Sequence, residues 1–131
     1  MTLLLLASLG GAIGAGLRFI VNHFFAGPAI VGGAAVFPWA TLTVNVLGGF
    51  LMGVVTVLVT TRLGGAPEWR TFLVTGILGG FTTFSAFSLD MMNLLTDDGL
   101  SVSFIAYTIG SVVLAFVALV SGMYLARTVL A

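Results

Sequence analysis

One stretch interrupts the third apolar segment of the chain: Gly79-Gly80-Phe81-Thr82-Thr83-Phe84-Ser85-Ala86-Phe87. A glycine inside a helix costs about 1 kcal/mol relative to alanine, and two glycines are adjacent here. The two threonines that follow are β-branched, and their hydroxyls can bond the backbone in competition with the helix. We therefore predict a helix that stops near Gly79 and starts again near Thr83.

Such an interruption has a chemical consequence inside a membrane. It leaves backbone carbonyls without partners at the end of one half-helix and N–H groups without partners at the start of the next. In lipid these groups must find partners in protein, water or ions. An interruption at mid-membrane is therefore a candidate ion or substrate site.

The composition indicates an integral membrane protein. Of the 131 residues, 60% are hydrophobic and 6% are charged, and the mean hydropathy is +1.26. Soluble domains carry about 25% charged residues. Segments of about 20 apolar residues cross a bilayer, and four of them use most of this chain. We predict an all-α protein with a single transmembrane domain, residues 1–131. Its expected spans are 3–24, 38–60, 67–95 (with the break near 79–83) and 101–127.

The few charged residues argue against a nucleic-acid-binding protein, and they specify the orientation of the chain in the membrane only weakly. The net charge is zero, and the chain has no cysteine, so neither a basic nucleic-acid surface nor a thiolate metal site is expected. Arg62, Arg70 and Arg127 fall on one side of the four predicted spans and Arg18 on the other. Because this bias is small, we expect insertion in both orientations.

The second predicted span carries polar residues on one face, which contains Thr41, Asn45 and Gly48 at helical spacing. Asn45 lies about 10 Å along the helix from Pro38, at 1.5 Å per residue. An amide at that depth needs a partner. It either bonds another helix and holds the bundle together, or it lines a water-accessible path.

Two phenylalanines and an acid follow the predicted break. Phe84 and Phe87 share a face of the second half-helix; their rings either pack against protein and lipid, or turn electropositive edges toward an anion. Asp90 is either a functional intramembrane acid or an interfacial one. In the fourth span Tyr107 and Ser111 present hydroxyls to one face, where they either bond neighbouring carbonyls or line a path.

The first span carries one cation and ends at a boundary residue. Arg18 either extends to the interface or attracts anions to a pore mouth. His23 is interpreted as interfacial, because the chain has no second histidine or cysteine to share a metal. Glycines and a proline at 27–33 predict a loop.

Small residues four positions apart predict close helix contacts. The pairs are Gly10 with Gly14, Gly11 with Ala15, Gly49 with Gly53, and Gly76 with Gly80.

No pattern in the chain is typical of an enzyme. Hydrolysis or group transfer needs a nucleophile beside a base, or a metal, and neither arrangement is present in the sequence. The polar residues within the spans are hydrogen-bond donors. Donors along a narrow path suit a small anion, which must exchange its water shell without being held too tightly. Four short helices barely enclose a path, so we expect an oligomer.

Three motifs together resemble the Fluc (CrcB) family of fluoride channels. They are Gly10-Gly-Ala-Ile-Gly-Ala-Gly-Leu-Arg-Phe19, Thr41-Leu-Thr-Val-Asn-Val-Leu-Gly-Gly-Phe-Leu-Met-Gly53, and the stretch 79–87. The resemblance covers the whole chain in length, span number and motif order. It implies passive export of cytoplasmic fluoride across the cell membrane.

The resemblance also implies an assembly and a set of site residues. The family forms antiparallel, dual-topology homodimers with a broken third helix, two fluoride pores and a central structural sodium. By motif, the sodium ligands are the backbone carbonyls of Gly79 and Thr82. The pore residues are Thr41, Asn45, Phe84, Ser85, Phe87, Tyr107 and Ser111, with Arg18 and Asp90 also matched.

Two residues depart from the family pattern. Ala86 stands where many members have threonine, and Asp90 stands where a glutamate is usual, which shortens its reach by one methylene. Ala115 also offers no hydroxyl one turn beyond Ser111. These departures affect the expected conduction rate more than the expected function.

Two other functions compete with this one. A small multidrug transporter would also be a short four-helix protein, but it needs an acid in the first span to exchange protons for a cationic drug, and this span has none. A non-conducting subunit of a membrane complex would account for the glycine faces and not for the donors.

Overall fold

The computed structural model describes residues 1–25 and 37–130, and within these ranges the only regular elements are helices. The elements are α1 (Thr2–Phe25), α2 (Trp39–Thr61), α3 (Pro67–Trp69), a π-helical segment (Arg70–Leu78), α4 (Gly79–Phe81), α5 (Phe84–Asp98) and α6 (Val102–Leu130). The loop predicted at 27–33 lies outside the described residues.

Four helical stretches are long and apolar enough to cross a membrane, as predicted. They are Thr2–Phe25, Trp39–Thr61, Pro67–Asp97 and Val102–Leu130. Their mean hydropathies lie between 1.6 and 2.2. The third stretch has 31 residues, more than the roughly 20 that a straight crossing needs.

The third stretch leaves helical geometry at two residues, which we call the Thr82–Thr83 linker. Thr82 has φ −74° and ψ 158°, and Thr83 has φ −151° and ψ 127°. The sequence predicted that the helix stops near Gly79. The departure begins three residues later, and Gly79 itself is helical. The cost of glycine in a helix is small, whereas an extended backbone suits β-branched threonine and lets Thr83 cap α5.

Helix α1 packs closely on the π-helical segment and α4 through glycines. A Cβ on Gly10 would lie 2.5 Å from the Phe72 carbonyl oxygen, and one on Gly80 would lie 2.6 Å from that of Gly11. Gly14 and Gly76 also have no room for a methyl group. The pairs Gly10 with Gly14 and Gly76 with Gly80 are therefore helix contacts, as predicted.

Helices α2 and α6 form the second close pair. A Cβ on Gly49 would lie 2.6 Å from the Ala115 carbonyl oxygen, and one on Gly53 would overlap that of Leu119. Gly122 of α6 meets the Phe50 carbonyl in the same way. The predicted Gly49 and Gly53 pair is confirmed as a contact face. Gly11 differs, because a Cβ there meets nothing within 4 Å in the described part of the chain.

One cluster of buried side chains lies between α5 and α6. Phe87, Leu94 and Tyr107 form it, and Phe37 packs against it. The outward faces of the helices carry many exposed apolar side chains, as expected for surfaces that contact lipid or another protein. The polar groups described next lie beside this cluster.

Candidate functional site

Two grooves are lined in part by residues of helix α5. The first, of about 500 Å³, we call the linker groove; Asn45, Gly79, Thr82, Phe84, Phe87 and Ser111 are among its lining residues. The second, of about 520 Å³, we call the carboxylate groove; it is lined by Asn22, Thr41, Asp90, Asn93 and Asp97 among others. Phe87 lines the first groove, and Asp90, one turn further along α5, lines the second.

Asn45 pairs with the backbone of Thr83. The Thr83 N–H donates to Asn45 Oδ1 at 2.9 Å, and Asn45 Nδ2 donates to the Thr83 carbonyl at 3.0 Å. This is the interhelical bond that was one of the two interpretations of Asn45. An NH₂ group has two hydrogens, so one donor of the Asn45 amide remains for another partner.

Thr83 caps helix α5, because its side chain accepts the backbone N–H of Ala86. Its Oγ1 accepts the Ala86 N–H at 3.2 Å, which is the usual geometry of an N-cap threonine. Ser85 Oγ lies 3.4 Å from the same oxygen, and Ser85 is exposed. Thr82 behaves differently, because its hydroxyl donates back to the Leu78 carbonyl at 2.9 Å.

These bonds deprive two carbonyls of their helical partners. In a continuous α-helix the Gly79 carbonyl would accept the Thr83 N–H, and the Thr82 carbonyl would accept the Ala86 N–H. The first hydrogen goes to Asn45 and the second to Thr83 Oγ1. Gly79 and Thr82, the residues matched to the sodium ligands, both line the linker groove.

Backbone carbonyls of this kind are hard oxygen donors and suit a small cation. Two of them make only part of a coordination shell, so a cation bound here would need further oxygen ligands. Groups of three or more His, Cys, Asp or Glu side chains that could hold a metal are absent from residues 1–25 and 37–130.

A carboxylate joins three helices at the edge of the carboxylate groove. Asp90 Oδ2 on α5 accepts the Thr41 hydroxyl of α2 at 2.6 Å and the Tyr107 hydroxyl of α6 at 3.1 Å. Each hydroxyl has one hydrogen, so both are donated to Asp90. From the sequence, these three residues were identified one by one. Helical spacing places Thr41 on a face with Asn45 and Asp90 on a face with Phe87, but it does not show that Thr41, Asp90 and Tyr107 meet.

The aromatic side chains form a chain of ring contacts between the grooves. The ring centroids of Phe84 and Phe87 are 5.7 Å apart, and those of Phe87 and Tyr107 are 5.4 Å apart. Phe37 meets Tyr107 edge-on at 5.6 Å. Phe87 is 7% exposed, whereas Phe84 is 78% exposed. The two phenylalanines therefore have different surroundings within this chain.

Two hydroxyls of α6 are buried without a hydrogen-bond partner in the described part of the chain: Ser111 Oγ and Thr108 Oγ1. Ser111 is 4% exposed and lines the linker groove. One interpretation of Ser111 was a bond to a neighbouring carbonyl, as is common for helical serines; that interpretation is wrong for the described part of the chain, where Ser111 Oγ has no partner. Thr108 was not singled out from the sequence.

Arg18 is placed apart from these groups. It is half-buried on α1 and is not among the residues that line either groove. His23 is exposed at the end of α1, and its ring stacks on Phe19 at 6.4 Å between centroids. The other residues matched to the family pattern line one of the two grooves or lie within hydrogen-bond distance of residues that do.

Comparison with known proteins gives a consistent result. The sequence model of the family described as CrcB-like protein, Camphor Resistance (CrcB), matches residues 5–123. The chain is 45% identical over 130 residues to a protein of Rhizobium meliloti named Fluoride-specific ion channel FluC, with 97% of this chain and 98% of that protein covered. It is 46% identical over 121 residues to a protein of the same name from Erythrobacter litoralis, covering 92% and 88%.

Proposed function

The chain belongs to the CrcB family, and from that membership we propose that it is a fluoride-selective channel. Relatives similar over nearly their whole length carry the name Fluoride-specific ion channel FluC. Four helices capable of crossing a bilayer make this a multi-pass membrane protein. We propose the cell membrane as its location and passive export of cytoplasmic fluoride as its role.

The observation that carries the proposal is the set of unused donors in the linker groove. Ser111 Oγ is buried there without a partner among the described residues, and Asn45 keeps one amide hydrogen. Phe84 and Phe87 line the same groove, and the edges of their rings carry partial positive charge. Fluoride is small and strongly hydrated. Donors of this kind can replace its water shell piece by piece without binding it tightly.

The proposed path continues from the linker groove toward the carboxylate groove. Beyond Phe87 it meets the Tyr107 hydroxyl and then the Thr41 hydroxyl, both held by Asp90. Ser85 stands at the exposed start of α5 and adds a hydroxyl to the outer part of the track. Arg18 stays outside this path in our proposal and acts on anions through its charge alone.

We further propose an antiparallel homodimer with two pores. Phe84 and Gly79 are exposed beside the linker groove, so a second copy would cover them and complete the walls of each path. The arginines are few and divided between both sides of the bundle, which permits insertion in both orientations. In this assembly the Gly79 and Thr82 carbonyls of both copies would hold a structural sodium ion. The ion would neutralise carbonyl dipoles that face each other at the centre.

Flux measurements in liposomes test the function. The purified protein is reconstituted into vesicles loaded with potassium fluoride or potassium chloride, and efflux is followed with ion-selective electrodes after valinomycin is added. We expect rapid fluoride efflux and no chloride efflux above empty vesicles. Equal efflux of both anions, or no efflux, would contradict the proposal. Proton flux driven by a cationic drug would instead indicate a small multidrug transporter.

A further inference from the structure

The Asn45 carboxamide pairs with both backbone polar groups of Thr83. Its oxygen accepts the Thr83 N–H at 2.9 Å, and its nitrogen donates to the Thr83 carbonyl at 3.0 Å. A primary amide carries the same donor and acceptor as a peptide group. The pair therefore reproduces the two-bond contact between opposed residues of antiparallel strands, although Asn45 lies on a helix.

Thr83 needs such a contact because of its conformation. Its φ of −151° and ψ of 127° are those of a β-strand residue, and the Thr82–Thr83 linker has a helix on each side. Thr83 is only 9% exposed, so water does not satisfy its backbone groups. Unpaired backbone groups at this depth cost several kcal/mol in a membrane. Asn45 supplies both missing partners.

We propose that Asn45 is a positioning residue that keeps the Thr82–Thr83 linker extended. By binding the Thr83 N–H it prevents that hydrogen from returning to the Gly79 carbonyl, which would extend α4 by one residue. One side chain thus connects the donors of the proposed anion path to the backbone oxygens of the proposed cation site. The effect of Asn45 on flux rests on the proposed channel function, whereas its effect on the Thr83 backbone does not.

Amide hydrogen exchange at Thr83 tests the contact directly. NMR-detected exchange is measured on the full-length protein in detergent micelles for the original chain, Asn45→Ala and Asn45→Asp. Asn45→Ala removes the acceptor, so the Thr83 N–H should exchange about tenfold faster or more. Asn45→Asp keeps an acceptor oxygen for the Thr83 N–H but loses the donor to the Thr83 carbonyl, so Thr83 should remain clearly more protected than in Asn45→Ala. Thr56→Val, at an exposed position on the same helix, should change nothing at Thr83.

The two Asn45 variants must therefore differ. Equal protection of Thr83 in Asn45→Ala and Asn45→Asp, whether both fast or both slow, overturns the proposal. If Asn45→Ala does not fold, slow exchange in Asn45→Asp still supports the contact, and fast exchange in Asn45→Asp contradicts it.

A double-mutant cycle connects the contact to transport. Replacing Thr83 by the corresponding α-hydroxy acid exchanges its N–H for an ester oxygen and leaves the side chain intact. The ester should lower fluoride flux on its own, and it should have little further effect in the Asn45→Ala background, because both changes remove the same bond. Additive effects on flux, or no effect of the ester alone, would mean that Asn45 acts only as an ion ligand. If the original chain carries no fluoride, the exchange experiment alone decides the proposal.

Discussion

At the scale of single residues, Asp90 shows how one side chain can organise a polar site in an apolar bundle. Its Oδ2 accepts hydroxyl hydrogens from α2 and α6 at 2.6 and 3.1 Å. Hydrogen bonds to a charged acceptor are stronger than neutral ones, and these two tie three helices together. The aspartate reaches both hydroxyls although it is one methylene shorter than the glutamate usual in the family pattern.

Tyr107→Phe should destabilise the protein by about 1.5–3 kcal/mol, the range for a hydrogen bond to a charged group. The ring stays in place against Phe87, so the change removes only the hydroxyl that donates to Asp90. Thermal or denaturant unfolding in detergent, followed by circular dichroism, measures the loss. Tyr124→Phe is the matched control, because Tyr124 is 72% exposed. An equal effect of both substitutions would contradict the assigned bond.

Phe84→Ile should lower fluoride flux by about tenfold, which corresponds to about 1.4 kcal/mol of added barrier. Isoleucine fills similar space but has no electropositive ring edge to face the anion. Phe19→Ile is the control and should leave flux unchanged, because Phe19 is also exposed but is not among the residues that line either groove. Flux in liposomes with an ion-selective electrode is the measurement. Unchanged flux in Phe84→Ile would remove this ring from the path.

Asn45→Asp should also reduce fluoride flux strongly, because it adds a negative charge beside the path and removes the spare amide donor. The protein should still fold, since the carboxylate keeps an acceptor for the Thr83 N–H. Flux in liposomes measures transport, and size-exclusion chromatography of the same variant checks that it is folded. Full flux in this variant would exclude the Asn45 amide as an anion ligand.

At the scale of elements, the bundle contains two close helix pairs. Hydrogen bonds between Asn45 of one pair and the Thr82–Thr83 linker, which follows the other pair, connect them. Helix α1 lies on the π-helical segment and α4, and α2 lies on α6, each at a distance that glycines permit. Backbone-to-backbone contact of this kind is how helices associate in lipid, where apolar burial offers little advantage. Asn45 of α2 then connects the second pair to the linker that follows α4.

Gly53→Ala should destabilise the α2–α6 pair by about 1–3 kcal/mol, the usual cost of overpacking. The added methyl would meet the Leu119 carbonyl and the Met123 nitrogen. Gly110→Ala on α6 should leave stability unchanged or raise it slightly, because a Cβ there meets nothing within 4 Å in the described part of the chain. Unfolding in detergent compares the two. A larger loss in Gly110→Ala would contradict the observed packing.

Gly79→Val addresses assembly rather than the fold of one chain. In the described part of the chain, a Cβ on Gly79 meets only the Val74 carbonyl oxygen, at 3.6 Å, which is an ordinary contact. We expect the single chain to keep its helices and the proposed dimer to dissociate. Circular dichroism and size-exclusion chromatography separate these effects. A stable dimer of the variant would place Gly79 outside the interface.

At the scale of the whole molecule, the exposed linker groove and the sparse charges both bear on the proposed dimer. The chain contains no cysteine, so a single introduced thiol reports orientation without background. Thr96→Cys, at an exposed position near the end of α5, should be labelled about half from each side of intact vesicles if the two copies are antiparallel. Complete labelling from one side would contradict dual topology.

The sequence by itself determined the features that depend on local chemistry and on periodicity. Apolar length specified four spans, and glycines four residues apart specified which faces come together. The adjacent glycines and threonines placed the departure from helix to within three residues. The sequence-based prediction put the end of the helix too early, because both glycines tolerate helical geometry. The capping oxygen and the extended conformation belong to Thr83.

Tertiary structure alone decided which polar groups meet. Asn45 and Thr83 are 38 residues apart, and Thr41 and Asp90 are 49 apart. Their contacts depend on the axial register of packed helices, which a shift of one turn would abolish. Register is set by the sum of many glycine and apolar contacts along the bundle, so no single residue encodes it. The same register frees the Gly79 carbonyl, because helix packing brings Asn45 to the Thr83 N–H, whereas the Thr82 carbonyl is freed by the local cap of Thr83 on Ala86.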